Sequence, residues 1–342
     1  MKYPVLKNYI DGKSIDGGEK RIDVISPIDG SIISTVPISG IDAVNRAVTA
    51  AQKAFPTWSA APIKERAQIF YKYKTLLEKN MNELAELIQE ENGKTISESI
   101  AEIEKSIEVT EFACSLEQFA AGEVMEVSRG VECRVERFPV GVVACITPFN
   151  FPNMVPNWTI PNALVLGNCM ILKPSELVPI SANRIADLLK EAGLPDGVFN
   201  VVHGAKDVVE AICDHPGIQA VSFVGSTKVA KIVYTRSTSN LKRALTLGGA
   251  KNHLIVLPDA NVAMTASNVA ASMSGCAGQR CMAASAMVAV GSVDHIIEEL
   301  VNEVKKIVPG KNLGAVISQQ AKERIENYIT EAEREGAKIL LD

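Results

Sequence analysis

A chain of 342 residues with 47% hydrophobic and 22% charged side chains has material for about two domains and a large core, which excludes a disordered or fibrous protein. A formal charge of −5 without a long basic run argues against nucleic acid or an anionic membrane surface as partner. Seven scattered cysteines without a CxxC pair make neither a disulfide framework nor a metal site, so a reducing, cytoplasmic compartment fits. The N-terminal MKYPVLKNYIDGK has no apolar h-region, and no stretch reaches ~18 uninterrupted apolar residues, so a soluble chain is expected.

Residues 1–40 read as short strands broken by turns, with Asp11-Gly12 and Asp29-Gly30 as hairpin signals. From Ile41 the apolar spacing turns helical. Residues 42–55, 64–79, 81–91 and 97–120 are expected to be amphipathic helices, able to form a bundle of their own. Residues 124–138 alternate like a two-stranded ribbon with polar faces. Its unpaired edges want a partner, which makes an oligomer contact one candidate role.

From Gly141 the pattern becomes alternating strands and helices. GVVACIT, CMILKPS, VFNVVHG, QAVSFVG and HLIVLP read as strands, and residues 180–192, 206–214 and 227–234 as helices between them. Such alternation implies right-handed crossovers and a parallel sheet, whose ligands bind beyond the C-terminal strand ends. The turns at 147–153, 173–176, 225–227 and 247–251 should therefore line one crevice.

The residues of those turns carry coherent chemistry. Lys173-Pro174-Ser175-Glu176 sets an ammonium and a carboxylate on a proline-stiffened turn, suited to two ribose hydroxyls, though KPSE is also a common helix start. Gly225-Ser226-Thr227 ends a strand and opens a helix, where free N–H groups and the dipole would meet a phosphate; a plain N-cap is the blander alternative. No GxGxxG occurs at either place. In Thr147-Pro148-Phe149-Asn150-Phe151-Pro152, two prolines fix the backbone around an amide that is either an Asx-turn or an oxyanion donor. Downstream, Gly278-Gln279-Arg280-Cys281 places a thiol in a tight turn beside a guanidinium, which favours the reactive thiolate. Cys276, in a small-residue helical pattern, reads as a buried small hydrophobe.

TPFNFP, LKPSE, SFVGST and GQRC, in that order, resemble the aldehyde dehydrogenase superfamily from about Tyr9 onward. The resemblance implies an α/β fold with a Rossmann-type parallel sheet, helices on both faces and a protruding oligomerisation ribbon. It implies an NAD-binding domain at 1–123 and 139–249, the ribbon at 124–138 and a catalytic domain at 250–342 that is C-terminally incomplete. Cys281 would attack an aldehyde, Asn150 would stabilise the hemithioacetal oxyanion, and hydride would pass to NAD. Thr147, Phe149, Lys173, Glu176, Gly225, Ser226 and Gly248 would hold the cofactor, with Glu176 repelling a 2′-phosphate and so favouring NAD over NADP. A homo-oligomer, dimer or tetramer, is implied as well.

One departure from the family pattern bears on the reaction. The superfamily usually has a glutamate just before paired glycines, and here Leu245-Thr246-Leu247-Gly248-Gly249-Ala250-Lys251-Asn252-His253 has no acid there. Without that base, water attacks the acyl-enzyme slowly, since a positioned base is worth ~10²–10⁴-fold. A thiol acceptor needs none, and coenzyme A would serve. GAKNH with AGQRCMA is similar to the CoA-acylating methylmalonate/malonate semialdehyde dehydrogenase branch, which releases CO2 and forms propionyl-CoA or acetyl-CoA. Arg280 becomes a candidate for the substrate carboxylate. The branch tends to have arginine near Lys105 and at Leu177, so these two positions touch substrate identity. The alternatives are a hydrolytic NAD-dependent aldehyde dehydrogenase, an inactive truncated chain, and, last, a thiol hydrolase for which His203, His215, His253 and His295 offer no evident partner.

Overall fold

The computed structural model describes residues 1–341. The chain opens with the hairpin β1 (Asn8–Ile10) and β2 (Lys13–Ile15), followed by the hairpin β3 (Arg21–Ile25) and β4 (Ile32–Pro37). Asp11 and Gly12, which turn the first hairpin, have φ of 53° and 71°, the left-handed pair that a two-residue type I′ connection needs. Five helices follow: α1 (Ile41–Ala60), α2 (Ile63–Lys79), α3 (Met81–Asn92), α4 (Ile96–Cys114) and α5 (Leu116–Phe119). The hairpin β5 (Glu123–Ser128) and β6 (Val131–Val135) comes next, every residue of both strands exposed.

The alternating part comprises β7 (Val142–Ile146), α6 (Met154–Val165), β8 (Cys169–Lys173), α7 (Ile180–Glu191), β9 (Phe199–Val201), α8 (Lys206–Asp214), β10 (Ile218–Val224), α9 (Thr227–Ser239) and β11 (Arg243–Leu247). The rest is β12 (Asn252–Val256), α10 (Val262–Ser274), a 3₁₀ turn Gly275–Gly278, β13 (Ala284–Ala289), α11 (Asp294–Val304) and α12 (Gln319–Arg334).

The main sheet runs β11-β10-β7-β8-β9-β1-β2. Its five strands β11 to β9 are parallel, and β1 and β2 close the far edge antiparallel. β7, β8 and β9 are buried along their whole length, as continuous apolar runs in a two-sided parallel sheet should be. Strand order reverses at β7: the chain moves outward through β8 and β9, then returns to β7's other side with β10. That reversal opens a crevice beyond the strand ends.

The structure departs from the sequence pattern in three places. The helical segment is not an independent bundle, because Val44, Phe70, Leu84 and Ile103 share one core with Val142, Ile171 and Phe199 of the sheet. Trp58 Nε1 also donates to the Leu164 carbonyl at 3.1 Å, and Tyr73 donates to Asn157 Oδ1 at 3.0 Å. HLIVLP leaves the main sheet: among the described residues β12 pairs only with β13, in a separate two-stranded parallel sheet. Its place is taken by β11. α6 was not anticipated, because Pro156 and Pro161 mask its helical spacing.

Candidate functional site

The turns after β7, β8, β10 and β11 converge on a cavity of about 1210 Å³, and the loop bearing Cys281 forms its inner wall. All ten residues singled out from the sequence line this one space: Cys281 and Arg280 on the loop, and Thr147, Phe149, Asn150, Lys173, Glu176, Gly225, Ser226 and Gly248 at the strand ends.

Each is held by its local fold. The Thr147 N–H donates to the Lys173 carbonyl at 3.1 Å, continuing the β7–β8 ladder into the turn. The Phe149 carbonyl accepts from Asn92 Nδ2 at 2.9 Å. Lys173 is buried, and its ammonium meets Glu176 Oε2 at 2.9 Å, the Glu176 side chain lining the cavity at 35% exposure. The Gly225 N–H donates to the Leu247 carbonyl at 3.1 Å, which brings the ends of β10 and β11 together. A Cβ on Gly225 would lie 2.6 Å from the Phe223 ring, so only glycine leaves this backbone open. Ser226 is the N-cap of α9, whose positive end faces the cavity. Beside it, the Gly249 N–H donates to Thr227 Oγ1 at 2.9 Å and fixes the Gly248-Gly249 turn.

The thiol loop meets the Asn150 turn directly. Asn150 Nδ2 donates to the Gln279 carbonyl at 2.8 Å, two residues before Cys281, while its Oδ1 is buried without a partner. The amide is thus aimed at the cysteine loop but engaged by it. The Cys281 carbonyl accepts from Asn252 Nδ2 at 2.8 Å, and the residue itself is half-buried. A second, smaller cavity of about 490 Å³ borders Cys281 and Arg280 from the other side. Its wall is largely apolar, with Phe151, Met154 and Trp158, and Lys105 sits on it, paired with Glu108 at 2.7 Å. Cys281 therefore stands where a large polar-ended space and a small apolar one adjoin.

Cys276 is buried as expected, and burial pushes its thiol up to about 11. None of the four histidines lines either cavity. His203 is buried, with burial lowering its imidazole to about 3, and its Nε2 lies 2.6 Å from Asn183 Oδ1. The carboxylates bordering the two spaces are all engaged: Glu176 by Lys173, Glu210 by Arg236, Glu98 by Thr95 and the Cys276 N–H, and Glu102 by Lys94 and two backbone N–H groups.

Sequence reasoning missed the segment from Asn92 to Glu102 that backs the site. Lys94 is buried, ion-paired to buried Glu102 at 2.5 Å, and donates to the Asn150 carbonyl at 2.7 Å. Its ammonium also lies 4.0 Å from the centre of the Phe151 ring. The visible signal was Thr95-x-x-Glu98, a capping box at the start of α4. α12 was also missed, and Arg324 and Tyr328 bring it to the mouth of the larger cavity.

Residues 14–342 match the profile of the aldehyde dehydrogenase family, and the chain belongs to that family. A malonate-semialdehyde dehydrogenase from Geobacillus thermodenitrificans is 44% identical over 98% of this chain and 72% of its own length. Another, from Oceanobacillus iheyensis, is 45% identical over 98% of this chain and 71% of its own. Among solved structures, a putative methylmalonate-semialdehyde dehydrogenase from Sinorhizobium meliloti, complexed with NAD, superposes with a TM-score of 0.97 at 40% identity, covering 100% of this chain and 72% of that one. The methylmalonate-semialdehyde dehydrogenase of Oceanimonas doudoroffii gives the same TM-score and identity over 99% of this chain and 72% of that one. No helix among the described residues is long and apolar enough to cross a membrane.

Proposed function

We propose that the chain carries the site of an NAD-dependent, CoA-acylating dehydrogenase for malonate or methylmalonate semialdehyde. The observation that carries this reading is the position of Cys281, with the Asn150 amide beside it, at the junction of the two cavities. At about 1210 Å³ the larger space exceeds the ~300–1,000 Å³ of ordinary small-molecule pockets, which suits a dinucleotide. The Lys173–Glu176 pair would take ribose hydroxyls, and the Gly225-Ser226 start of α9 with the Gly248 turn would take the pyrophosphate. Thr147 and Phe149 would bracket the nicotinamide end. A carboxylate at 176 disfavours a 2′-phosphate, and the S. meliloti relative is described with NAD. When bound, NAD supplies the hydride acceptor.

The chain's own residues supply the rest. The Cys281 thiolate adds to the aldehyde carbon, forming a C–S bond and an alkoxide. Asn150 Nδ2, released from the Gln279 carbonyl, donates to that oxygen together with the Cys281 N–H. With a hydride acceptor bound there, the carbon joined to Cys281 would be left as a thioester. Arg280, with Lys105 also on the smaller cavity, would hold the substrate carboxylate until it departs as CO2, the C–C bonding pair passing to the α-carbon as a thioester enolate that takes one proton from water. The CoA thiolate then displaces Cys281, so that semialdehyde, NAD+ and CoA give acyl-CoA, CO2 and NADH.

Thiolysis is favoured over hydrolysis because, among the described residues, each carboxylate bordering the cavities is already engaged. The same engagement, with no histidine lining either cavity, counts against a thiol hydrolase. We further propose that the chain works in the cytoplasm, where its seven free thiols stay reduced, and that the β5–β6 ribbon joins copies into a dimer or tetramer. By the same reading the cofactor-binding unit comprises 1–123 and 139–249 and the catalytic unit 250–342.

The deciding assay follows NADH from malonate and methylmalonate semialdehydes with and without CoA, and identifies the product by mass. Acetyl-CoA or propionyl-CoA, with turnover that depends on CoA, upholds thiolysis. Free acid at the same rate without CoA sinks it in favour of the hydrolytic alternative, and no NADH under any condition leaves the inactive reading.

A further inference from the structure

The first turn of α4 is tied to the thiol loop by a contact that the reaction above does not use. Glu98 Oε2 accepts from the Thr95 N–H at 3.0 Å and the Thr95 hydroxyl at 2.9 Å, closing the helix cap. Its other oxygen, Oε1, points out of the helix and accepts the backbone N–H of Cys276 at 2.6 Å. That N–H belongs to an unusual backbone. Cys276, Ala277 and Gly278 have φ of 54°, 51° and 74°, three successive left-handed residues of which two carry a Cβ. Such a run persists only where its surroundings hold it.

Within the loop, the Gln279 N–H and side chain both donate to the Cys276 carbonyl, at 2.9 and 3.0 Å. From outside, Asn150 and the Ile317 N–H hold Gln279, while Glu98, over 178 residues of sequence separation, holds the backbone N–H at the start of the left-handed run. Four residues earlier on the same segment, Lys94 fixes the Asn150 carbonyl. The nucleophile loop and the amide turn thus hang from one helix start.

We propose that Glu98 is a positioning residue, whose carboxylate clamps the left-handed turn at 276–278 and so sets the Cys281 thiol against the Asn150 amide. This rests on the reading of Cys281 as nucleophile and Asn150 as oxyanion donor. Glu98 borders the smaller cavity, but this role needs no contact with substrate or cofactor. It acts through the backbone that precedes the thiol.

The test compares Glu98→Ala with Thr95→Ala in the full chain, since both break the helix cap and only the first frees the Cys276 N–H. Two readouts are taken: the single-turnover NADH burst, and peptide-level alkylation of Cys276 and Cys281 by iodoacetamide. Glu98→Ala is expected to slow the burst about 10- to 100-fold, the scale of a misplacement near 1 Å, with KM for the aldehyde little changed. It should also open buried Cys276 to alkylation. Thr95→Ala should lower Tm by a similar amount while leaving burst rate and alkylation pattern at parent values. Glu98→Gln, which keeps a carbonyl oxygen for the Cys276 N–H, should restore both. If Glu98→Ala does not fold, Glu98→Asp, one methylene shorter, should slow the burst in its place.

Equal burst rates in Glu98→Ala and Thr95→Ala, or Cys276 still protected in Glu98→Ala, would overturn the clamp. A parent chain that gives no burst, yet exposes Cys276 only when Glu98 is lost, upholds the clamp and overturns the dehydrogenase reading.

Discussion

Cys276 and Cys281 lie five positions apart on one loop and meet opposite environments. The first is buried with its thiol pushed up to about 11, and the second is half-buried at the junction of two cavities. Sequence alone separated them, because GQRC sets a turn and a cation beside only one. The amide opposite was legible too, but its present partner was not. Asn150 Nδ2 is engaged by the Gln279 carbonyl, a pairing across 129 residues that no local pattern encodes. Replacing Asn150 by Ala should lower kcat by ~10²–10³ with a smaller change in KM, the usual effect of losing one oxyanion donor. Steady-state NADH kinetics measure it, and an unchanged kcat would overturn the proposed oxyanion role of Asn150.

A further residue-scale expectation concerns pH. Glu91 is fully buried, and desolvation raises its carboxyl from the ordinary 4.5 to about 7 despite the N–H groups of Ile180 and Ser181 that it accepts. A raised folded-state pKa means that the folded protein binds more protons than the unfolded chain between those two values. Stability from this group is therefore complete below about 4.5 and lost as pH rises through about 7. The Glu91→Gln variant cannot titrate. Its stability relative to the parent should rise across that window by no more than ~1.4 kcal/mol per pH unit, then level off. Urea melts at several pH values would show the trend, and a flat difference would refute it.

Among the elements, hairpins and helices with clear periodicity were predictable, and the misplaced ones had competing signals. α6 carries prolines at its third and eighth positions, and a segment so punctuated reads as loop until the surrounding core is known. β12 has the apolar run of a sheet strand, but which sheet it joins depends on a pairing with β13 some thirty residues on, which periodicity does not carry. The β5–β6 ribbon was read from alternation alone, and its exposed Val124, Met125, Val127 and Val131 suit a covered surface better than a solvated one. Changing Met125 and Val131 together to Glu should shift sedimentation to smaller species without lowering the protomer's Tm. If the parent already sediments as a monomer, the ribbon's proposed role fails.

On the scale of the whole molecule, the sequence revealed one crevice because four of its walls are strand-end turns, each with local chemistry. It did not reveal the backing from Asn92 to Glu102, because a lysine and glutamates near a helix start look like solvated surface until Lys94 and Glu102 prove buried. The same distance between local and global information shows in the two sheets. Asn150 follows a strand buried within a seven-stranded sheet, whereas Cys281 precedes a strand of a two-stranded one. A two-stranded pair is marginal by itself and opens at lower free energy than a many-stranded core.

In this chain the proposed nucleophile and the amide opposite it sit beside sheets of unequal size, and unequal thermal endurance is the expectation. On gradual heating, catalysis should fade several degrees before the far-ultraviolet circular dichroism of the main sheet and its helices begins to change, and cooling from that interval should restore it. Activity and ellipticity followed on one temperature ramp would reveal the gap, and coincident curves would mean that the thiol's small sheet melts only with the rest. In this 342-residue chain, a pair of strands lining neither cavity would then be the part whose loosening first costs the site its shape.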